Sequence, residues 1–518
     1  MNKILTFLAL STLMLASCKR DLQFEDPNKL TYEEYLKLPG AAVKVGSGAM
    51  IGMLNTVMNG EFGQHLLCMA DQVTTTNRYN EFWDWAQEPR LAIKNADTYG
   101  GYGAISSYWA GFAQSNLDAN AILLQIRAGE PIKDANGNDR TSDSKIAAYF
   151  AKGISNGYLG AIYDRGIIVN GRSSDVPTFT DYPDSYKKMV ENGVAYMDSA
   201  VAAANAATSF NFDFVPGFTV NKTQFIAWCN GFAARMMASV ARDNAEAVAL
   251  GASWWNKVYD YANAAPSTDL IYSYANESVY PGTLDWAIYL LGDGAGYLPV
   301  DIKVAHLVDR TGTYPNYYPP ASATPNVLAP VQTDDARFNT YFTYTPNFGF
   351  LRADRNRGLF TNYARARWDN AFNFLAVPGA VSPFWQNEET ALLKAEAKLM
   401  AGDAAAAAAI LNSPSYSRKA LGNLPNVAAT AADIKKALHW EYAVCIDAAS
   451  GPLPVFAFMR RHNLLIGGTA TELPVPLQQM KVVGGNAYTF GGKANAGAKE
   501  GKFNEVTTAA NVGWKLSQ

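Results

Sequence analysis

Aromatic and polar side chains alternate in one short stretch, residues 77–85, which follows an acidic residue at position 71. A sugar ring has flat C–H faces and a rim of hydroxyls. A protein that binds it therefore needs aromatic planes for stacking, and carboxylate, amide or guanidinium groups for hydrogen bonds. The stretch supplies both kinds of group. The candidate ligand-binding residues here are Asp71, Arg78, Tyr79, Trp83 and Trp85.

A second stretch, residues 266–383, has a similar composition. It is rich in Tyr, Pro, Asn and Gly, which disfavours helix and predicts long ordered loops with short strands. Binding residues commonly lie on loops that a rigid scaffold holds in place. The alternative for every ring is that it packs a loop against the scaffold or a partner. The candidate ligand-binding residues of this stretch are Trp286, Tyr289, Tyr314, Tyr317 and Tyr318.

Patterns typical of catalysis are scarce. The sequence has no Gly-x-Ser-x-Gly elbow and no phosphate-binding Gly-x-x-x-x-Gly-Lys loop. A glycoside hydrolase needs only two carboxylates, and Asp84, Asp285 and Asp293 lie near aromatic residues, so a hydrolase stays the less favoured alternative. We predict that the protein is not an enzyme. The histidines are scattered, without the spacing of metal ligands, at His65, His306, His439 and His462.

One acidic turn, residues 134–139, resembles the start of a calcium-binding loop. Asp139 stands where an EF-hand needs glycine, and Lys145 stands where it needs the bidentate glutamate, so the EF-hand interpretation fails. A polar turn between two helices is the better interpretation. No cofactor or metal is predicted, although a different kind of structural Ca²⁺ site stays open.

The bulk composition excludes several classes of protein. Hydrophobic residues make up 49% of the 518 residues, which is enough for a large core and excludes global disorder. A formal net charge of −3 is too close to neutral for a surface that follows nucleic-acid phosphates. Four cysteines occur without a Cys-x-x-Cys pair, which predicts neither a zinc nor a redox site.

The N-terminus is typical of a secreted lipoprotein. Lys3 precedes the apolar run Ile4–Ala16, and residues 1–17 are predicted to be a signal peptide. The residues around Cys18 resemble a bacterial lipobox, so Cys18 is the predicted lipidation site. Lys19, where an inner-membrane retention signal has Asp, favours the outer membrane and the cell surface. No later segment is expected to be apolar for about 18 residues, which leaves the lipid as the only predicted anchor.

Helical periodicity dominates the rest of the chain. Small residues at the predicted contacts favour antiparallel helix pairs with tetratricopeptide-like packing, although the strict 34-residue signature is absent. We predict a mainly α fold in which these pairs form a scaffold. Irregular loops near 59–102 and 266–383, with a few short strands, would form the binding face. The predicted helical segments are 106–126, 145–163, 184–207, 223–242, 252–265, 387–411 and 432–449.

The C-terminal part of the chain resembles the SusD/RagB family of outer-membrane nutrient-binding lipoproteins, in its more divergent branch. The order and spacing of five short elements carry the resemblance: an apolar-Ala-Glu-Ala helix, a Gly-Asp turn, a Glu-containing helix, a Phe-x-x-x-Arg-Arg element and a closing Pro-x-Pro turn. They are Leu392–Leu399, Gly402–Asp403, His439–Tyr442, Phe456–Arg461 and Leu473–Pro476.

Two earlier segments, Trp109–Ile126 and Ala148–Tyr163, are similar to further helices of the same family. Two positions depart from its pattern: Tyr442 stands where the family has Arg after Glu441, and Ala457 stands where it has Asp. These departures concern the branch of the family rather than the fold.

The resemblance implies a single SusD-like domain over residues 18–518 and a function in nutrient uptake. Proteins of this kind capture oligosaccharides and deliver them to a SusC-like, TonB-dependent outer-membrane barrel, on which they sit as a lid. The partners implied are this barrel, an oligosaccharide, and the membrane through the N-terminal lipid. Capture of peptides by the same architecture, and a purely structural lid, are the alternatives.

Overall fold

The computed structural model describes ten ranges of the chain. Cys18 and residues 1–17 lie outside them, as do Trp286, Tyr289, Tyr317 and Tyr318. The described ranges are 31–58, 62–76, 78–88, 90–171, 181–273, 297–314, 328–346, 359–368, 381–446 and 450–492.

The described part of the chain is mainly α-helical, as the sequence predicts. Most predicted helices are present with ends shifted by a few residues, and the predicted segment 387–411 is two helices with a turn between them. In chain order the helices are α1 (Tyr32–Leu36), α2 (Ala41–Met58), α3 (Gln64–Met69), α4 (Phe82–Ala86), α5 (Gly103–Arg127), α6 (Thr141–Ile162), α7 (Tyr186–Ala206), α8 (Lys222–Ala238), α9 (Asn244–Ala249), α10 (Gly251–Asn263), α11 (Ile302–Val308), α12 (Phe338–Tyr341), α13 (Asn387–Met400), α14 (Ala404–Leu411), α15 (Ser417–Ala420), α16 (Ala431–Val444), α17 (Leu453–Arg461) and α18 (Leu477–Val482).

Short strands form three antiparallel two-stranded sheets within the described ranges, pairing β1 with β2, β3 with β6 and β4 with β5. Four of these six strands lie wholly or partly in the region 266–383, where the sequence predicts loops with short strands. The strands are β1 (Arg165–Gly166), β2 (Asp184–Ser185), β3 (Leu270–Ser273), β4 (Phe342–Tyr344), β5 (Tyr363–Arg365) and β6 (Val381–Trp385).

The long helices pack as successive neighbours. α2 packs on α5, α5 on α6, α6 on α7 and α7 on α8; α8 then packs on α10, α10 on α13, and α13 on α14. Each of these helices therefore buries its apolar side mainly against the helices next to it along the series, which is the packing of helical repeats. The tetratricopeptide-like helix pairs predicted from the sequence are confirmed.

One long helix, α2, is missing from the sequence prediction. By length and composition it is apolar enough to cross a membrane. The expectation that no segment after the signal peptide would be apolar for about 18 residues is therefore wrong. However, 56% of it is buried inside the protein, where Met50 and Met53 are fully covered. Both α5 and α6 pack against it. A helix that is apolar on most of its surface and covered by its neighbours is a core helix.

Side chains at the helix starts explain where several helices begin. The sequence suggests a start at Asp184 for the third long helix, but the residue that caps α7 is Ser185, whose hydroxyl accepts a hydrogen bond from the backbone N–H of Lys188. Asn221 and Gln224 form a reciprocal capping box at the start of α8. Such caps pair backbone donors that the helix itself leaves open, and each contributes about 1 kcal/mol.

α6 and α7 pack closely against each other, and this contact depends on glycine. A Cβ on Gly193 would lie 2.6 Å from the carbonyl oxygen of Gly153 and from the backbone of Gly157. Gly193→Ala is therefore expected to push the helices apart and to lower the free energy of unfolding by about 1–3 kcal/mol, as overpacking does. Urea unfolding followed by circular dichroism measures the change.

Gly48→Ala is the matched control for this variant. Gly48 also lies inside a helix, α2, but a Cβ there would meet nothing within 4 Å. Alanine is a better helix former than glycine, so this substitution should leave stability unchanged or raise it by about 0.5–1 kcal/mol. Equal effects of the two substitutions would contradict the proposed close contact.

Candidate ligand-binding face

The predicted binding loop is a tight, strained turn. A 3₁₀ turn, Tyr79–Glu81, leads directly into α4. Asn80 and Glu81 have positive φ angles of 45° and 55°, and Asp71 at the start of the loop has φ 53°. Such a conformation is unfavourable for residues other than glycine and costs about 1–3 kcal/mol each time. The surrounding structure must therefore hold this loop in one conformation.

His65 on α3 helps to fix the loop in this conformation. One of its ring nitrogens lies 2.7 Å from the carbonyl oxygen of Phe62, and the other lies 2.9 Å from the carbonyl oxygen of Asn80 in the loop. Its ring stacks on Phe82 with centroids 4.0 Å apart and meets the edge of Trp85 at 5.2 Å. His65 thus has a structural role: it fixes the strained turn to the helix below.

Backbone pairing joins the two irregular regions beneath this turn. Val73 forms an antiparallel bridge with Val300, and the N–H of Thr74 donates to the carbonyl of Pro299 at 2.9 Å. As a result the ring of Tyr79 lies 5.4 Å from the ring of Tyr297, centroid to centroid. Sequence reasoning predicted that both regions contribute to one face, but it did not single out Tyr297.

The side chains at this surface are only partly covered. Arg78 is exposed, and Tyr79, Trp83 and Tyr297 are each half-buried. Within the described ranges, no hydrogen bond or ion pair is found for the Arg78 guanidinium. We call Arg78, Tyr79, Trp83 and Tyr297 the aromatic face. Three of its four members are predicted site residues: Arg78 and Tyr79 lie at the turn, and Trp83 lies in the first turn of α4.

Asp71 lies below the aromatic face, in a buried cluster of charges. It accepts a hydrogen bond from Arg90 at 2.5 Å, and Lys303 pairs with Glu88 at 2.6 Å. Lys303 also lies 3.6 Å from both Asp71 and Asp301. Burial and the neighbouring charges of Asp71 and Glu88 raise the pKa of Asp301 to about 7, against the effect of Lys303. These ion pairs link the two irregular regions from inside.

Three predicted ligand-binding residues are placed in the interior instead. Asp71 is fully buried in the charge cluster, and Trp85 is only 6% exposed, against His65. Tyr314 is 2% exposed, and its hydroxyl donates to the carbonyl of Ala329 at 2.7 Å. For these three the alternative interpretation holds, because the rings and the carboxylate pack the loops onto the scaffold. The four candidates Trp286, Tyr289, Tyr317 and Tyr318 lie outside the described residues.

The cavity directly under the loop is too small for a sugar. It is bordered by Asp84, Arg90 and Tyr99 and encloses about 20 Å³, room for about one water molecule. Asp84 is occupied within the protein, since Lys94 donates to it at 2.6 Å and Tyr99 at 3.0 Å. This cavity therefore cannot hold a sugar ring.

The described residues contain no group of three or more His, Cys, Asp or Glu side chains arranged to hold a metal ion. His439 and His462 are buried in the C-terminal helices, and His462 pairs with Glu396 at 2.8 Å. The three cysteines within the described ranges, Cys68, Cys229 and Cys445, are buried free thiols. These side chains belong to the core.

Solved structures of the same fold are known. This chain is similar to a SusD-like carbohydrate binding protein from Bacteroides vulgatus, with a TM-score of 0.54, 14% sequence identity, and coverage of 81% of this chain and 82% of the other. It is also similar to a SusD superfamily protein from Parabacteroides distasonis, with a TM-score of 0.55, 13% identity, and coverage of 89% and 99%. A SusD superfamily protein from Bacteroides thetaiotaomicron matches with a TM-score of 0.50, 13% identity, and coverage of 85% and 96%.

No protein-family model matches the sequence, and no curated protein is significantly similar to it. The likeness is therefore one of structure at low sequence identity. The chain has the SusD-like fold, as the resemblance in its C-terminal segments implies.

Proposed function

We propose that this protein captures oligosaccharides on the aromatic face and delivers them to a SusC-like, TonB-dependent barrel in the outer membrane. The observation that carries the proposal is the meeting of the two irregular regions at Tyr79 and Tyr297, whose half-buried rings lie 5.4 Å apart beside the exposed Arg78. Aromatic planes next to a fork of hydrogen-bond donors match the flat faces and hydroxyl rim of a sugar.

Rigidity of the loop supports this function. The strained residues Asn80 and Glu81 are held by His65 and by the backbone pairing below, so the aromatic residues are positioned before a ligand arrives. Positioning in advance reduces the entropy lost on binding and so favours affinity. The SusD-like carbohydrate binding protein from Bacteroides vulgatus has the same fold, which is consistent with a sugar ligand here.

The location and the partner belong to the same proposal. Cys18, in its lipobox-like context, would carry the lipid that anchors residues 18–518 as one SusD-like domain at the cell surface. Several acyl chains on one residue suffice for stable anchoring, because each buried CH₂ contributes about 0.8 kcal/mol. The protein would act as a binding subunit without catalytic activity of its own.

The test is a binding screen with the lipid-free mature protein. Neutral and acidic oligosaccharides and a set of peptides are titrated by calorimetry, and the reaction mixtures are analysed for shortened sugars. Replacing Tyr79 and Trp83 together with alanine is expected to weaken binding of the selected sugar about tenfold to hundredfold, because aromatic anchors at a site centre contribute about 2 kcal/mol or more.

The matched control replaces Tyr149 and Trp254 together with alanine. Both are half-buried aromatic residues on helices, and Tyr149 lies 6.0 Å from the ring of Tyr196, much as Tyr79 lies beside Tyr297. This variant should bind like the wild type. Selective binding of peptides would replace the sugar proposal by peptide capture, and release of shortened sugars would contradict the binding-only function.

A further inference from the structure

A groove lies between α1 and α5. It has a volume of about 430 Å³, within the range of about 300–1,000 Å³ that is usual for small-molecule sites. None of the residues that form the aromatic face lines it. The groove is therefore a separate candidate for a binding site.

Two parallel strips of side chains on α5 form one wall of the groove. Leu117, Ala121 and Leu124 recur at intervals of four and three residues and make an apolar strip. Gln114 and Asp118, four residues apart, lie beside it and make a polar strip. A sugar chain likewise presents apolar and polar surfaces, since apolar C–H faces alternate with hydroxyl groups along its length.

Tyr32 on α1 forms the opposite wall. Its side chain is 47% exposed, and its hydroxyl donates to a carboxylate oxygen of Asp118 at 2.8 Å. Gln114 donates to the same oxygen at 3.0 Å. The groove therefore combines an exposed aromatic ring with a positioned carboxylate. Leu117 is also unusually exposed for a leucine, at 45%.

The floor of the groove is fixed by buried hydrogen bonds. Asn120 donates from its amide to the carbonyl of Gly171 at 2.8 Å and accepts from the ammonium group of Lys152 at 2.9 Å. Both bonds are shielded, since Asn120 is 4% exposed and Lys152 is fully buried. Asn120 cannot turn without losing these partners, so the groove keeps its shape when it is empty.

The charges at the groove select against an anionic ligand. Three carboxylates and one ammonium group line it, from Glu33, Asp118, Glu130 and Lys37. Lys37 is already paired with Glu130, with the charged atoms 3.2 Å apart. The excess of negative charge repels uronic acids and phosphates, whereas neutral hydroxyl groups are suitable donors to the carboxylates.

We propose that the groove between α1 and α5 is a second binding site, for a neutral oligosaccharide, in which Tyr32 stacks on a sugar ring and Asp118 accepts hydrogen bonds from its hydroxyls. A second site that shares no residue with the aromatic face would let one protein hold a long glycan at two points. The apparent affinity for long chains would then exceed the affinity of either site alone.

The experiment uses the lipid-free mature chain carrying Tyr79→Ala and Trp83→Ala, so that the groove is observed without the aromatic face. Malto-, cello-, xylo- and manno-oligosaccharides and an oligogalacturonate are titrated by calorimetry. At least one neutral probe is expected to retain binding, and Tyr32→Ala should weaken it about tenfold or more, as the loss of an aromatic anchor does. The oligogalacturonate should not bind here.

Tyr35→Ala is the matched control, because Tyr35 lies on the same helix and is 38% exposed but does not line the groove. Its effect on affinity should stay below about twofold. Hydrogen exchange gives an independent readout: the bound probe should protect the backbone of Tyr32–Leu36 and of α5 around Asp118, since a ligand stabilises the segments it contacts.

Each outcome separates this proposal from the function of the aromatic face. If the Tyr79→Ala and Trp83→Ala changes abolish binding of every probe, the aromatic face is the only site and the groove proposal is wrong. If these changes have no effect while Tyr32→Ala does, the groove binds sugar and the aromatic face does not. Equal losses in Tyr32→Ala and Tyr35→Ala, selective binding of the acidic probe, or binding of peptides alone would also overturn the proposal.

Discussion

Replacing Glu441 with alanine is expected to lower the free energy of unfolding by about 3–5 kcal/mol, the usual cost of removing one partner from a buried ion pair. Glu441 is fully buried on α16. Its two oxygens accept hydrogen bonds from Arg337 at 2.8 and 2.9 Å and from Arg418 at 2.9 Å. Tyr416 donates at 3.1 Å, and the thiol of Cys445 lies 3.3 Å away. Without Glu441, the guanidinium of Arg418 loses its carboxylate partner, and the buried Arg337 keeps Asp335, 2.7 Å away, as its carboxylate partner.

Glu191→Ala is the matched control. Glu191 also lies within a helix, α7, and also faces a cation, Lys187, at 4.0 Å, but both side chains are about half exposed at 52% and 50%. An exposed pair of this kind contributes less than about 1 kcal/mol. Urea unfolding should therefore show a several-fold larger loss of unfolding free energy for Glu441→Ala than for Glu191→Ala. Similar small values would mean that water reaches the Glu441 cluster.

The cluster around Glu441 lies next to a position where the chain departs from the family pattern. The resemblance to the SusD/RagB family places an arginine directly after Glu441, where this chain has Tyr442. In the structure, the guanidinium groups that neutralise Glu441 come instead from Arg337 and Arg418, which lie 104 and 23 positions earlier. A local sequence pattern could not identify these two partners of Glu441, because they lie far from it in the chain.

The helical scaffold was the most predictable part of the fold, for a physical reason. α5, α6 and α7 are long helices that pack against their neighbours in the series, and apolar residues recur along them at intervals of three to four positions. α2 was missed although it is as long as α8 and less completely buried than α6, so the extent of burial does not account for the omission.

The candidate site was predictable only in part. The composition of residues 77–85 identifies a loop with ligand-binding chemistry, but it does not distinguish Trp83, which is half-buried, from Trp85, which is part of the core. That difference depends on the turn of α4 and on the ring of His65. Tyr297 had no local signal beyond a tyrosine in a Gly- and Pro-containing loop. Its place beside Tyr79 follows from pairing between Val73 and Val300, more than 200 positions apart in the chain.

The second large expected effect is a loss of folding stability at acidic pH. Burial, helped by the nearby charge of His462, lowers the pKa of His439 to about 3 from an ordinary value near 6.5. The unfolded chain therefore binds a proton at His439 at a higher pH than the folded chain does. Stability from this residue is fully present above about pH 6.5, and it falls by up to about 1.4 kcal/mol per pH unit as the pH drops toward 3.

Other buried groups act in their own pH windows. Arg461 and His462 lower the pKa of Glu396 to about 2 although burial opposes them, so its contribution to stability is lost only as the pH falls from about 4.5 toward 2. The raised pKa of Asp301, about 7, has the opposite sign, because the folded state then binds the proton first and gains stability as the pH falls from 7 toward 3.8. The effect of His439 is therefore best measured as a difference between two proteins.

The measurement compares urea unfolding of the wild type and of His439→Leu at several pH values between 7 and 4. The leucine variant keeps every other titrating group, so the wild type should lose about 1 kcal/mol or more per pH unit relative to it below pH 6. A change in packing alters the stability of the variant at all pH values alike and leaves the slope of the difference unaffected. Parallel pH dependences of the two proteins would mean that His439 already carries its proton in the folded state, in which case a partner beside it must stabilise the charged ring against burial.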